Sequence, residues 1–491
     1  MTGGSDVIVI GGGHCGLAAA AQLGRTGHSV VVCEARDSLG GVAAGAEFHP
    51  GYRHVGILHD SDLVPTGLDL ATGLVGQLRR RDPPAVHVAG TDTVLDAPTL
   101  APWTGWVDPV RDFFRELLQA PAPDLGGDAS LWPLVKPALA FRKLGTDRMM
   151  ALLRVSPTCV DDWLEEFFGD DTAVRAGLAA GALLGTWMGP RSPSSTAVLL
   201  LRACAADREL VGGPAALVEA LVSAATTHGA DLRTGARVSR IRIAQGRTAG
   251  VTLADGTELD ADAVISAIGP RRTLLELVHP ADLPDGLDVQ VQRIRTRGIT
   301  AKLHLALSGP LAIAGGAERS RVGAHPHDWE RAFDDAKHRR PLKRPALDVR
   351  LPSLTDPSLA PSGHQVASIL VHGAAVDLDG GWTDAARDAL GHAVLDVLAE
   401  HDPGVRDKLV AAEVLTPADL AERYGLEGGH LLHGELGLDQ LHALRPTPDL
   451  SRHTTGIPGL FLGSSGTHPG LGVSGWSGVL AARALMGPGR Y

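Results

Sequence analysis

The chain has 491 residues, of which 44% are apolar, 21% charged and 4% aromatic, and its formal net charge is −11. This length exceeds what one hydrophobic core supports, so two or three domains are expected, and the ordinary composition excludes a wholly disordered chain. The acidic balance and the absence of a long basic run argue against nucleic acid as a partner.

The termini and the cysteines predict a cytoplasmic protein. The N-terminus has no charged leader or cleavage site, and no run of about 18 apolar residues occurs, so neither a signal peptide nor a transmembrane helix is expected. The four cysteines (Cys15, Cys33, Cys159 and Cys204) form no C-x-x-C pair and no metal-ligand spacing. They are interpreted as reduced structural thiols, and no metal site is predicted.

A βαβ unit opens the chain. Val7–Ile10 is a continuous apolar run typical of a buried parallel strand, residues 17–23 have a helical pattern, and residues 29–33 form the second strand. The loop between the first strand and the helix has the G-x-G-x-x-G spacing.

Each glycine of that spacing has a physical role. Gly11 permits a tight turn, Gly13 lets a pyrophosphate approach the backbone, and Gly16 lets helix and strand pack closely. Glu34 ends the second strand, where its carboxylate can accept hydrogen bonds from the adenosine ribose and would repel a 2′-phosphate. The pattern predicts a dinucleotide site and disfavours NADP; a glycine-rich turn in an unrelated α/β unit is the less favoured alternative.

The residues after Glu34 favour FAD over NAD. A second glycine pair follows the ribose acid and gives a long cofactor another close approach to the backbone, and no second G-x-G-x-x-G occurs that would build a separate NAD domain. This predicted cofactor segment contains Ala35, Arg36, Gly40, Gly41 and Val42.

The rest of the chain alternates between two characters. The expected elements are helices over 161–168, 215–228, 385–401 and 473–486, and strands over 237–243, 248–253, 263–267, 299–307 and 459–462, with a hairpin turn at Asp255-Gly256. The fold class is therefore α/β. A Rossmann-type FAD-binding domain (1–74, 206–275 and 411–491) is interleaved with a second α+β substrate domain (75–205 and 276–410).

Residues 131–155 mix large apolar side chains with five basic ones. The segment could contact a membrane surface or admit a lipophilic substrate. A solvated helix of the second domain is favoured over both.

The order of short motifs resembles the phytoene desaturase-like FAD-dependent oxidoreductases, and within them the branch named for pyridine nucleotide-disulphide oxidoreductase domain-containing protein 2. The similar segments span nearly the whole chain. They are Glu34-Ala35-Arg36 with Gly40-Gly41, Pro50-Gly51-Tyr52, Asp162-Trp163-Leu164, Gly189 to Pro193, Gly212-Gly213-Pro214, Ser266-Ala267 with Pro270 and Thr273, Pro352-Ser353 with Asp356-Pro357, Leu415-Thr416-Pro417 with Asp419-Leu420, His433-Gly434-Glu435, Arg445-Pro446, and Gly466 to Gly470.

The resemblance implies further cofactor contacts. Val238 would contact the adenine through its backbone, Ser465 and Gly466 would lie near the ribityl chain, and Gly472 and Val473, at the start of the last helix, would lie by the flavin ring. Ser465 departs from the Asp that many related flavoproteins carry. The chain also has no redox cysteine pair, so disulphide reduction is rejected.

No catalytic group is assigned, because hydride transfer to a flavin needs orientation and water exclusion more than a nucleophile. His468, His433 and His59 are weak candidates. His468 could act as an acid/base or be a loop histidine bonded to backbone; His433 with Glu435 could be an oriented base or, more favoured, a structural pair; His59 could face substrate, although a surface histidine is favoured.

The favoured function is hydride transfer between a lipophilic or amine-type small molecule and FAD, in the dehydrogenase or desaturase direction. A retinol saturase-like reductase is one alternative. A flavin-binding protein with a structural or protein-interaction role and little turnover is another. The substrate, the electron acceptor and the oligomeric state are not determined by the sequence.

Overall fold

The structure is a computed structural model that describes residues 5–123 and 132–487. The strands are β1 Ser5–Ile10, β2 Val30–Cys33, β3 Ala46–His49, β4 Tyr52–His54, β5 Arg80–Arg81, β6 Val86–Val88, β7 Val94–Leu95, β8 Glu209–Leu210, β9 Asp231–Arg233, β10 Val238–Ala244, β11 Arg247–Leu253, β12 Glu258–Ser266, β13 Thr300–Leu307, β14 Arg319–Val322, β15 Ala346–Arg350, β16 Gln365–His372, β17 Leu409–Leu415 and β18 Leu460–Leu462.

The helices are α1 His14–Arg25, α2 Gly67–Thr72, α3 Ala97–Gln119, α4 Trp132–Lys143, α5 Thr146–Val155, α6 Val160–Phe168, α7 Thr172–Leu183, α8 Ser195–Ala205, α9 Gly213–Thr227, α10 Pro270–Arg272, α11 Leu287–Gln292, α12 Pro326–Lys337, α13 Asp384–Ala399, α14 Val405–Lys408, α15 Pro417–Tyr424 and α16 Trp476–Met486. Within the described ranges, no helix is long and apolar enough to cross a membrane.

The first sheet is the nucleotide-binding one. Its parallel part runs β18-β12-β1-β2-β9, and β10 and β11 extend it from the first residues of β12 as an antiparallel meander. Val7, Val9, Ile8 and Ile10 are all buried, because successive side chains of β1 point to opposite faces and both faces are covered. Helices α1, α9 and α16 cover one face, and residues 274–294 together with β10 and β11 cover the other.

The second sheet has the order β17-β13-β16-β15-β14-β6-β7 and is antiparallel except where β14 pairs with β6. Its apolar side chains join those of α3, α6, α7 and α8 in the largest core of the molecule. The predicted boundary at residue 411 falls inside β17, which pairs with β13 along its length. Residues 411–415, which were predicted for the FAD-binding domain, therefore belong to the second sheet.

Most predicted elements are present within two or three residues of their expected ends, including the turn at Asp255-Gly256 between β11 and β12. The largest differences are at β12, which begins at Glu258 and not at residue 263, and at the last helix. The last helix begins at Trp476 and not at Val473, because its N-cap Gly475 adopts a left-handed backbone with φ of 70°. Gly472 and Val473 therefore lie in the loop before α16.

Of the predicted segment, residues 132–143 form α4 and residues 146–155 form α5, and residue 131 lies outside the described residues. Leu139, Met150 and Leu153 of this segment are exposed. A membrane contact here stays the less favoured prediction.

Candidate active site

The glycine loop, residues 11–16, connects the end of β1 to the first turn of α1. The Gly11 N–H donates to the Cys33 carbonyl at 2.9 Å, and the Gly40 N–H donates to the Gly12 carbonyl at 2.7 Å. A Cβ at Gly16 would overlap the Gly11 carbonyl oxygen, so only glycine lets α1 pack this closely. A Cβ at Gly13 would meet no protein atom within 4 Å, so the space beside this residue is left for a ligand.

Glu34 is bound to this loop from the end of β2. Its Oε2 accepts from the Gly12 N–H at 2.7 Å, and its Oε1 accepts from the Arg36 N–H at 2.9 Å. Each carboxylate oxygen has a second lone pair, so the side chain can still accept from two ribose hydroxyls. Burial of Glu34 to 8% exposure places these acceptors inside the site.

A cavity of about 410 Å³ follows the loop. Nine of the predicted cofactor residues line it: Gly11, Gly13, Glu34, Ala35, Arg36, Gly41, Val42, Val238 and Ser465. They come from the segments that follow β1, β2 and β18 and from the start of β10, which are far apart in the chain and meet at one end of the sheet.

Five predicted cofactor residues do not line this cavity. Gly16 and Gly40 instead allow close packing around the glycine loop. A Cβ at Gly40, where φ is 104°, would lie 2.6 Å from Val218 Cγ1. A Cβ at Gly466 would lie 2.5 Å from Pro270 Cδ. Gly472 and Val473 line a second cavity instead.

Several lining residues were not predicted from the sequence. His14, Arg237, Arg272, Tyr424 and Leu431 all face the cofactor cavity. The Arg36 guanidinium lies 4.4 Å from the Tyr424 ring centroid, a cation–π contact that joins the ribose segment to α15. No local motif marks Tyr424, because its partner is nearly 400 residues earlier and only the fold brings them together.

The second cavity has a volume of about 190 Å³ and shares Leu431 with the first. Its wall is aliphatic with a charged patch. The lining residues are Leu58, Asp60, Asp62, Leu63, Gly181, Leu184, Gly185, Leu199, Arg202, Ala203, Ala206, Arg319, Arg321, Leu370, Leu431, Leu432, Leu471, Gly472 and Val473.

His59 belongs to a buried charge network behind this cavity. Its Nδ1 lies 3.1 Å from Lys302 Nζ, and its Nε2 lies 3.3 Å from Asp348 Oδ1. The preference for a surface histidine is wrong, because the side chain is buried among these ionic groups. Burial lowers the pKa of His59 to about 4 and that of Lys302 to about 7.

The other two histidine candidates lie in different surroundings. His433 lines the cofactor cavity, and burial lowers its pKa to about 4. Its predicted pairing with Glu435 is wrong, because that carboxylate binds Arg295 and Arg297 at 3.0 and 2.8 Å. His468 lines neither cavity; its Nε2 lies 3.0 Å from the Ala120 carbonyl, and burial holds its pKa well below the ordinary value.

The four cysteines are free thiols. Cys15 and Cys33 line the cofactor cavity, and Cys15 has its Sγ 3.7 Å from Ser465 Oγ. Burial raises the pKa of Cys15 and of Cys33 to about 11, which keeps both thiols protonated and unreactive.

Comparison with known proteins agrees with this geometry. Residues 142–486 match the flavin-containing amine oxidoreductase family, and residues 9–59 match the NAD(P)-binding Rossmann-like domain. The chain is 30% identical to pyridine nucleotide-disulfide oxidoreductase domain-containing protein 2 of Rattus norvegicus over 98% of this chain and 93% of that protein. It is 26% identical to a neurosporene-forming phytoene desaturase of Rhodobacter capsulatus over 97% and 93% of the two chains.

Two solved structures share the fold. An oxidoreductase from Methanosarcina mazei has a TM-score of 0.60 at 19% identity, covering 98% of this chain and 99% of the other. Putrescine oxidase bound to putrescine has a TM-score of 0.59 at 17% identity, covering 97% of each chain.

The residues present fit FAD. Gly13 leaves open space where a pyrophosphate would approach, and Glu34 keeps free acceptor capacity for a ribose at the same cavity. The family match extends over most of the chain, and its description as a flavin-containing oxidoreductase supports an enzyme over a purely structural flavin protein. The protein therefore belongs to the flavin-containing amine oxidoreductase family and is an FAD-dependent oxidoreductase of the phytoene desaturase-like type.

Proposed function

We propose that the enzyme transfers a hydride between a small lipophilic or amine-type molecule and its flavin, in the dehydrogenase direction. The observation that carries this proposal is the second cavity. It shares Leu431 with the cofactor cavity and is lined by Gly472 and Val473, the residues that the family resemblance puts beside the flavin ring. When bound, FAD supplies the hydride acceptor.

The size and lining of the second cavity favour a small substrate. Its volume of about 190 Å³ is below that of common drug-sized sites, and leucine side chains make up much of the wall. Such a wall binds apolar carbon and keeps water away from the reacting bond. Relatives and neighbours with the names phytoene desaturase, putrescine oxidase and cyclohexylamine oxidase support a C–C or C–N bond as the one oxidised.

Asp62 is the group best placed to hold a substrate proton. It lines the second cavity, and burial together with the neighbouring Asp60 raises the pKa of its carboxyl to about 6. A carboxyl that titrates near neutral pH can accept a proton from a substrate ammonium or hydroxyl before hydride transfer.

A cytoplasmic location and the lack of a nucleic-acid partner stay predictions.

Anaerobic reduction of the purified protein tests this function. The protein should be yellow and release FAD on denaturation, and an apolar amine or a hydrocarbon with an oxidisable bond should bleach the flavin absorbance. Reduction by the amines alone would select C–N oxidation. Bleaching only by an added reductant, followed by reoxidation with an unsaturated compound, would show the reductase direction and contradict the proposal, as would FMN in place of FAD.

A further inference from the structure

Arg445 is buried behind the place where the two cavities meet. Its side chain is 0% exposed, and its Nη2 donates to the Leu432 carbonyl at 3.0 Å and to the Ser465 carbonyl at 2.6 Å. Leu432 lines the second cavity, Ser465 lines the cofactor cavity, and Leu431 lines both. One guanidinium therefore holds together a residue from the wall of each cavity.

The same guanidinium fixes the chain on both sides of it. Its Nη1 donates to the Glu435 carbonyl at 3.0 Å and has longer contacts of 3.4 Å with the Gly434 and Gln440 carbonyls. A Cβ at Gly470 would overlap Arg445 Nε, so the loop after β18 packs directly on the guanidinium. The hydrogen bonds of Arg445 thus go to backbone carbonyls of two separate segments.

The positive charge of Arg445 has no counterion. Among residues 5–123 and 132–487, no carboxylate lies within ion-pair distance of it, and the nearby Glu435 carboxylate binds Arg295 and Arg297 instead. Burial lowers the pKa of Arg445 to about 9, which leaves the guanidinium protonated at neutral pH. The carbonyl dipoles reduce the cost of burying the cation, but they carry no net charge and so leave its positive potential in place.

This potential extends into the cofactor cavity. Burial lowers the pKa of His433, which lines the cavity, to about 4, and the charge of Arg445 contributes to that lowering. In a buried site the effective dielectric constant is low and salt screens little, so one charge acts over a longer distance than in water. A hydride that reaches the flavin ring brings one proton and two electrons to a neutral ring and leaves one negative charge there. A fixed cation nearby stabilises that charge.

We propose that the charge of Arg445 raises the reduction potential of the bound FAD, while its hydrogen bonds keep the Leu432 and Ser465 walls of the site in place; this requires FAD in the first cavity and is independent of the substrate and of the direction of the reaction. The guanidinium acts from behind the wall and touches neither cofactor nor substrate, since its side chain is fully buried.

The midpoint potential of the bound FAD, measured against a reference dye with dithionite as reductant, tests the charge without a substrate. In Arg445→Gln, the ratio of reduced to oxidised FAD at a fixed solution potential should fall about tenfold, as expected for the loss of one charge about 10 Å away in a medium of intermediate dielectric constant. Arg445→Lys keeps the charge with fewer hydrogen bonds, so most of the ratio should remain.

Arg242→Gln is the matched control. Arg242 also donates to two backbone carbonyls, those of Ala249 at 3.2 Å and Leu259 at 3.1 Å, but its charge is paired with Glu258 at 2.9 Å on the surface. The potential of FAD in this variant should equal that of the wild type.

An unchanged ratio in FAD-loaded Arg445→Gln would overturn the proposal. An equal fall in the Gln and Lys variants would also overturn it, because the shift would then follow from lost hydrogen bonds and not from the charge. If the Gln variant does not fold or does not bind FAD, the wild type decides: its midpoint potential should lie above that of free FAD at the same pH, and a potential at or below it would contradict the role of the cation. Failure of every candidate substrate to bleach the flavin would remove the proposed hydride transfer and leave this result unaffected.

Discussion

Glu34 provides the sharpest test at the scale of single residues. In Glu34→Gln, one of the two carboxylate oxygens becomes an NH2 group, so either the Gly12 or the Arg36 N–H faces a donor. We expect FAD to bind about tenfold more weakly or worse, because a hydrogen bond to a buried charge contributes roughly 1.5–3 kcal/mol. Fluorescence titration of the apoprotein with FAD measures this. Glu258→Gln, at an exposed ion pair with Arg242, should leave affinity unchanged.

A substitution at Gly13 tests flavin binding separately from folding. In Gly13→Val the side chain would enter only the cofactor cavity, because a Cβ there meets no protein atom within 4 Å. We expect loss of bound flavin with a far-ultraviolet circular dichroism spectrum like that of the wild-type apoprotein. Gly16→Val is the contrasting variant, since its Cβ would overlap the Gly11 carbonyl and disturb the loop itself. Full FAD content in Gly13→Val would contradict the assignment of the site.

At the scale of elements, the contact between α1 and α16 depends on one glycine. A Cβ at Gly478 would overlap the Cys15 carbonyl oxygen, so the two helices touch backbone to backbone. Gly478→Ala should push them apart and lower the free energy of unfolding by at least about 1–3 kcal/mol, as overpacking does. Thermal unfolding measures the loss. Gly105→Ala in α3, where a Cβ meets nothing within 4 Å, should be neutral or slightly stabilising.

The glycines of the loop before α16 have a similar explanation. A Cβ at Gly463 would lie 2.9 Å from Ala481 Cβ, and Gly475 ends the loop with a left-handed backbone. Gly470 also has a positive φ of 59°. Close packing within the protein and backbone conformation thus account for these glycines.

At the scale of the whole molecule, buried histidines make stability depend on pH. Burial lowers the pKa of His14, His59, His372, His433 and His453 to about 4 in each case. Their unfolded pKa is about 6.5, so the unfolded state binds protons first as the pH falls. The contribution of these histidines to stability should therefore be full above about pH 6.5 and be lost as the pH falls from there toward 4.

Thermal unfolding of the FAD-loaded protein between about pH 7.5 and 5.5 measures this slope. His453→Gln should make the decline shallower, because one buried site no longer titrates. His338→Gln, at an exposed position, should leave it as in the wild type. A melting temperature that is constant or rises on acidification would disprove the role of these histidines.

The sequence by itself determined the cofactor and the nucleotide-binding unit. The glycines at 11, 13 and 16, the acid at 34 and the strands that flank them are local in the chain, so spacing and periodicity specify them. The sequence also specifies β10 to β12 and α13, because the apolar periodicity and the turn residues indicate the same elements. The family resemblance added Val238 and Ser465, and both line the cofactor cavity.

Only the tertiary structure decided what surrounds the flavin site. Tyr424 reaches Arg36, His59 is buried between Lys302 and Asp348, and Glu435 binds two arginines instead of His433. None of these partners is close in sequence, and the pKa values follow from burial that no local pattern encodes.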